Sequence, residues 1–116
     1  MSLSPVEFLK HIKEECTYLV HLSHQHTYKE FSSSRTLIYA TCRSLEIIGE
    51  ATKNVPEYLK IKYPLVEWKK MAGIRDKIIH DYFGIDNEII WKTIETKIPE
   101  LLVWIEIMIE KESKTN

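Results

Sequence analysis

The run Arg75-Asp76-Lys77-Ile78-Ile79-His80-Asp81-Tyr82 gathers the most chemically capable side chains of this 116-residue chain. A guanidinium can grip two non-bridging phosphate oxygens at once. An imidazole titrates near neutrality and can carry a proton in either direction. Arg75 and His80 are therefore the pair needed to cleave an RNA phosphodiester, because the 2′-OH supplies the nucleophile and no metal is required. On a helix, Asp76 and His80 stand four apart and share a face, and Arg75 and Tyr82, seven apart, also align. Arg75 and His80 are five apart and diverge by about 140° around the axis. Either the long arginine curls back toward the imidazole, or the site is assembled across two chains. The plain alternative is a partly exposed helix in which Asp76 and His80 pair locally while Ile78 and Ile79 face a core.

Other candidates are weaker. Glu50 shares a helix face with Arg43 and Glu46, seven and four residues before it. His21, His24 and His26 cluster in sequence, but no cysteine or acidic ligand joins them at zinc spacing, so an exposed interhelical loop is the simpler reading. Trp68, Trp91 and Trp104 could stack on bases, yet each occupies a core-compatible helical position. Cys16 and Cys42 fall inside helical patterns and read as core thiols. No glycine-rich phosphate loop and no serine nucleophile motif occurs. No metal and no cofactor is expected.

Helices must position these residues. Ser4-Pro5-Val6-Glu7 is a capping box with proline at the first helical position, and Leu9, Ile12, Cys16 and Leu19 then recur at helical spacing. This helix should fade near Leu22, with His21 to Tyr28 as the connection. A second helix should run from Ser33 or Ser34 to Lys53, burying Ile38, Cys42, Leu45 and Ile48. Gly49 interrupts good helix formers at a cost of about 1 kcal/mol, which points to something packed closely against the backbone. Asn54 to Pro64 reads as a turn, a short helical piece after Pro56, and a break. A third helix should span Trp68 to about Tyr82, with an irregular start near Gly73, and end at Gly84. Asp86 then offers an N-cap, with Ile85 and Ile90 as a hydrophobic staple. Pro99 either kinks the following helix or starts its last segment. There, Ile98, Leu101, Leu102, Ile105, Met108 and Ile109 form one apolar face, widened by Val103, Trp104 and Ile107. That is more than a single bundle buries, so this helix is either central or an interface between two copies.

Composition agrees. Apolar residues make up 44% of the chain, enough for a core, and the 3 glycines and 4 prolines are too few for a sheet-rich fold. The two cysteines suggest no disulfide framework, and the longest apolar run, Leu101 to Ile105, is too short to span a bilayer. The expectation is a cytoplasmic protein with no membrane association. Net charge is −1, but seven basic residues face three acidic ones between Lys53 and Lys77. A polyanion would prefer that stretch, with Lys69, Lys70 and Lys77 as candidate RNA-backbone contacts.

The runs Glu46-Ile47-Ile48-Gly49-Glu50-Ala51, Tyr63-Pro64, Trp68-Lys69, Met71-Ala72-Gly73 and Arg75 through Gly84 together resemble the HepT-like group of HEPN domains. The resemblance implies an all-α, up-and-down bundle of four to five helices, a single domain over residues 1–116, and a homodimer whose arginines and histidines meet in a cleft. It further implies a metal-independent RNA endonuclease toxin acting on mRNA or tRNA. Its antitoxin would be an MntA-like minimal nucleotidyltransferase that adenylylates the motif tyrosine. By position, Arg75 and His80 would be catalytic and Tyr82 the modified residue, with Asp76 and Glu50 in support. Asp76 stands where the group commonly has Asn, and an ionised carboxylate accepts hydrogen bonds without donating them. The alternative is a non-catalytic helical or nucleotide-binding subunit that partners the nucleotidyltransferase.

Overall fold

Side-chain caps set most helix starts, and apolar stripes set how far the helices run. The computed structural model describes residues 4–80 and 86–114, with nothing described for the side chains of Ile79 and His80. Helix α1 (Pro5–Gln25) opens on the expected capping box, in which the Ser4 hydroxyl accepts from the Glu7 N–H and the Glu7 carboxylate from the Ser4 N–H. It does not fade at Leu22. Leu22 is buried as the next member of the Leu9, Ile12, Cys16, Leu19 stripe, and that burial carries the helix to Gln25. His21 and His24 are therefore helical, and the connection shrinks to His26 and Thr27.

A second correction follows at once. Tyr28–Ser32 is a short helix, α2, started by a capping box between Thr27 and Glu30. Its Phe31 is fully buried, with ring centroid 5.1 Å from that of Trp91. Helix α3 (Arg35–Lys53) is capped by Ser34, as anticipated, and α4 (Glu57–Lys62) follows Pro56. Helix α5 (Trp68–His80) is regular through Gly73, so no irregular start is present. The expected stop at Gly84 and the Ile85 half of the staple lie outside the described residues.

Asp86 caps α6 (Asn87–Lys92), its carboxylate accepting from the Glu88 N–H at 2.9 Å. A π-helical turn (Thr93–Lys97) joins α6 to α7 (Ile98–Ser113) with helical backbone at both junctions. Pro99 begins α7 and does not break the rod. Its ring would crowd the carbonyl four residues back, at Glu95, and it has no N–H to return. The wider turn holding Glu95 accommodates both.

Four long rods, α1, α3, α5 and α6–α7, thus dominate, and α2 and α4 are short additions; the class is all-α, with no strand among the described residues. Helix α1 packs on α7 and on α3, and α3 carries α5. Both tryptophans Trp68 and Trp91 are buried, as are Cys16 and Cys42. Burial pushes the Cys16 thiol up to about 12, which fits a core thiol. On α7, Ile98, Leu101, Ile105 and Met108 are buried, Trp104 and Ile107 are half-buried, and Val103 is exposed. Among the described residues, no helix is long and apolar enough to cross a membrane.

Candidate active site

Arg75 is placed by a glycine. A Cβ on Gly49 would lie 2.7 Å from the Arg75 Cβ, and 3.2 Å from both the Arg75 nitrogen and the Met71 oxygen. Only a residue without a side chain lets α3 and α5 approach this closely, so Gly49 fixes where the arginine leaves its helix. The close packing inferred from Gly49 is present, and its partner is the Arg75 backbone.

From there the guanidinium reaches two carboxylates. Arg75 Nε lies 3.1 Å from Glu50 Oε2, and Nη1 lies 3.5 Å from Asp76 Oδ1. The same Asp76 oxygen accepts from Lys53 Nζ at 3.0 Å. Lys53, Asp76, Arg75 and Glu50 thus form one charged chain across α3 and α5. A planar guanidinium held at Nε and Nη1 keeps a defined orientation and further N–H donors. These side chains are 36% to 57% exposed, so their pairing orients the arginine more than it stabilises the fold.

Beside Arg75 opens a cleft of about 290 Å³. Its walls include Arg43, Glu46 and Glu50, the α3 face expected from their spacing, together with Asn54. Helix α1 contributes Phe8 and His11 to the same cleft. Lys53, Asn54, Phe8 and His11 were not singled out as site residues from sequence. Lys53 stands three residues after Glu50, a visible signal; the α1 pair depends on how α1 packs against α3, which spacing does not encode.

The three lysines expected to meet RNA do not line this cleft. Helix register turns Lys69 about 120° and Lys77 about 160° away from Arg75. Lys69 lies with Lys60, Ile61 and Trp68 along a groove beside α4. Lys77 borders an apolar groove between α5 and the α6–α7 rod, with Gly73, Ile74, Leu101 and Trp104. Lys70 touches both grooves and is bound 2.7 Å from Glu67 Oε2. Lys70, and then Lys97, hold the Glu67 carboxyl below its ordinary range. His80 closes the described part of α5, and Tyr82 lies outside the described residues. Among the described residues, no three His, Cys, Asp or Glu side chains gather as metal ligands.

Comparison with known proteins gives the geometry its context. An RNase, provisionally so named, from Caldanaerobacter subterraneus subsp. tengcongensis is 43% identical over 109 residues, covering 94% of this chain and 97% of its own. Another RNase of provisional name, from Methanocaldococcus jannaschii, is 45% identical over 103 residues, covering 89% of this chain and 85% of its own. The probable ribonuclease HepT of Thermococcus cleftensis is 38% identical over 101 residues, with 87% and 92% covered. No solved structure matches. The family described as Ribonuclease HepT-like matches residues 12–108, a span that holds Gly49, Glu50, Arg75 and the whole α3–α5 contact, and the chain belongs to that family.

Proposed function

We propose that this protein is a metal-independent ribonuclease in which Arg75 holds the scissile phosphate and His80 moves the proton. The observation that carries the reading is the seating of Arg75. Gly49 brings its backbone against α3, and Glu50 and Asp76 hold its guanidinium at the edge of an open cleft. In the proposed reaction the His80 imidazole takes the proton of the RNA 2′-OH, whose oxygen attacks phosphorus. The bond to the 5′-oxygen breaks, and that oxygen leaves with a proton supplied by an imidazolium. The products are a 2′,3′-cyclic phosphate and a 5′-hydroxyl end. Arg75 offsets the negative charge that grows on the non-bridging oxygens.

The active unit in this reading is a homodimer. Arg75 faces the cleft along α3, whereas position 80 follows it by five residues, about 140° around the axis of α5. A second copy is the simplest way to bring an arginine and a histidine together. The apolar groove between α5 and the α6–α7 rod, with Leu65 at 72% and Ile89 at 50% exposure, suits such a contact. The proposal extends to regulation by an MntA-like minimal nucleotidyltransferase in a toxin–antitoxin pair. Adenylylation of Tyr82, seven residues from Arg75, would add bulk and a negative phosphate that exclude RNA.

Purified protein incubated with RNA in EDTA tests the core of this reading. Wild type should yield cyclic-phosphate ends, and Arg75→Ala and His80→Ala should each lose at least a hundredfold in rate while remaining folded. Undiminished cleavage by both variants would sink the assignment. The second reading is a non-catalytic subunit that docks the nucleotidyltransferase, favoured by the two carboxylates already on Arg75. It predicts a stable complex with that enzyme and no chelator-resistant cleavage.

A further inference from the structure

Resting on the ribonuclease reading, we propose that the cleft beside Arg75 is a nucleotide subsite, seating the base and ribose of one unpaired RNA nucleotide next to the phosphate that Arg75 holds. Its volume of about 290 Å³ matches the lower bound of small-ligand pockets, roughly 300 Å³. The lining combines an apolar surface from Phe8, Ile47 and Ala51 with polar groups from His11, Arg43 and Asn54. Unpaired RNA bases are recognised by that combination, an aromatic face to stack on and fixed polar atoms to meet the base edge. Phe8 is half-buried and lines the cleft. The Asn54 amide is oriented by donating from Nδ2 to the Glu50 carbonyl at 2.9 Å, which leaves Oδ1 as an acceptor.

Charge argues for a nucleotide over a bare anion. Arg43 and Arg75 are balanced by Glu46 and Glu50, so the cleft has no excess cation to trap free phosphate. Arg43 is 72% exposed and touches Glu46 only at 3.5 Å, so its remaining donors are available to a flanking phosphate. Affinity would then come from the base, and α1 with α3 would set which nucleotide stands beside the cut.

The test titrates the wild-type protein with each of the four ribonucleoside 5′-monophosphates and with inorganic phosphate, followed by amide chemical shifts. At least one nucleotide should shift Phe8, His11 and Asn54 together, and phosphate alone should not. Phe8→Leu should weaken that nucleotide roughly tenfold, the loss of one stacking contact. Phe8→Leu and Arg43→Ala should both relax the base preference of RNA cleavage. Should Phe8→Leu fail to fold, the exposed Arg43→Ala and the shift map decide alone. Absence of nucleotide-specific shifts here, or an unchanged cleavage preference in the folded variants, overturns the subsite. Cleavage with unchanged preference leaves the ribonuclease standing without the subsite. Nucleotide binding without any RNA cleavage keeps the subsite and removes the ribonuclease.

Discussion

At the scale of single residues, Gly49 and Arg75 form the contact on which the site depends. Gly49→Ala would gain about 1 kcal/mol of helix propensity. It would also force its new methyl against the Arg75 Cβ and two backbone atoms that no rotamer change can move. Overpacking of this kind costs about 1–3 kcal/mol, so thermal melts should show a net loss of stability. RNA cleavage should fall further than the folded fraction, because relieving the clash displaces Arg75 itself; activity that tracks the folded fraction would refute the positioning role. Thr41 offers the opposite sign. It is fully buried on α3, and among the described residues its hydroxyl finds no hydrogen-bond partner. Thr41→Val removes that uncompensated polar group at nearly constant shape and should stabilise by about 1 kcal/mol, raising Tm by a few degrees. The glycine was readable in the sequence as a place of close approach, because it stands among good helix formers. Its partner was not, since it lies in another helix and only tertiary packing pairs them.

At the scale of elements, long apolar stripes and the short helix after Pro56 were legible, and α2 was not. Stripe spacing marks α1 and α3 with little error, yet it assigns no element to residues 29–32, most of α2. Its Thr27–Glu30 capping box was the available signal, and the packing of Phe31 on Trp91 stabilises a segment too short to hold itself. The π turn was also hidden. Ile90, Ile94 and Ile98 are buried at intervals of four. In an unbroken α-helix eight residues turn through about 800°, roughly 80° past alignment. One wider turn takes up the excess, and the apolar face stays on the core. A further link between elements is electrostatic. Near the C-terminal end of α7, where a carboxylate is disfavoured by the helix dipole, Glu112 Oε2 accepts from Lys62 Nζ at 2.9 Å and Tyr63 Oη at 2.7 Å. Lys62, and then Tyr63, hold the Glu112 carboxyl below its ordinary range. Burial, and then that hydrogen bond, push the Tyr63 phenol up to about 12, so it stays a donor. A depressed carboxyl stabilises fully above its unfolded value of about 4.3, and the contribution fades as pH falls through the lowered folded value. Thermal melts should therefore show Glu112→Gln less stable than wild type at pH 6, with the two converging as the pH is taken below 4. A gap that stays constant down to pH 3 would contradict the ionic origin.

At the scale of the whole molecule, the question is whether one chain owns a complete site. Arg75 looks into the cleft along α3, while position 80 lies about 140° around α5 from it. If a two-fold dimer joins the arginine of one copy to the histidine of the other, two inactive variants should repair one another. Arg75→Ala alone damages both sites of its homodimer, as does His80→Ala alone. In a mixed dimer one site carries both lesions and the other carries none. Random pairing makes half the dimers mixed, and each holds one intact site of two, so equal co-expression should restore about a quarter of wild-type activity. If the arginine folds back onto the histidine of its own chain, every site in every dimer carries a lesion, and mixing restores nothing. Cleavage by the co-expressed pair, compared with each variant purified alone and with the two mixed at a concentration where subunits cannot exchange, reads the difference directly. Recovery only on co-expression assigns the site to the interface. Absence of recovery, with dimers shown by mass to be mixed, assigns it to the single chain.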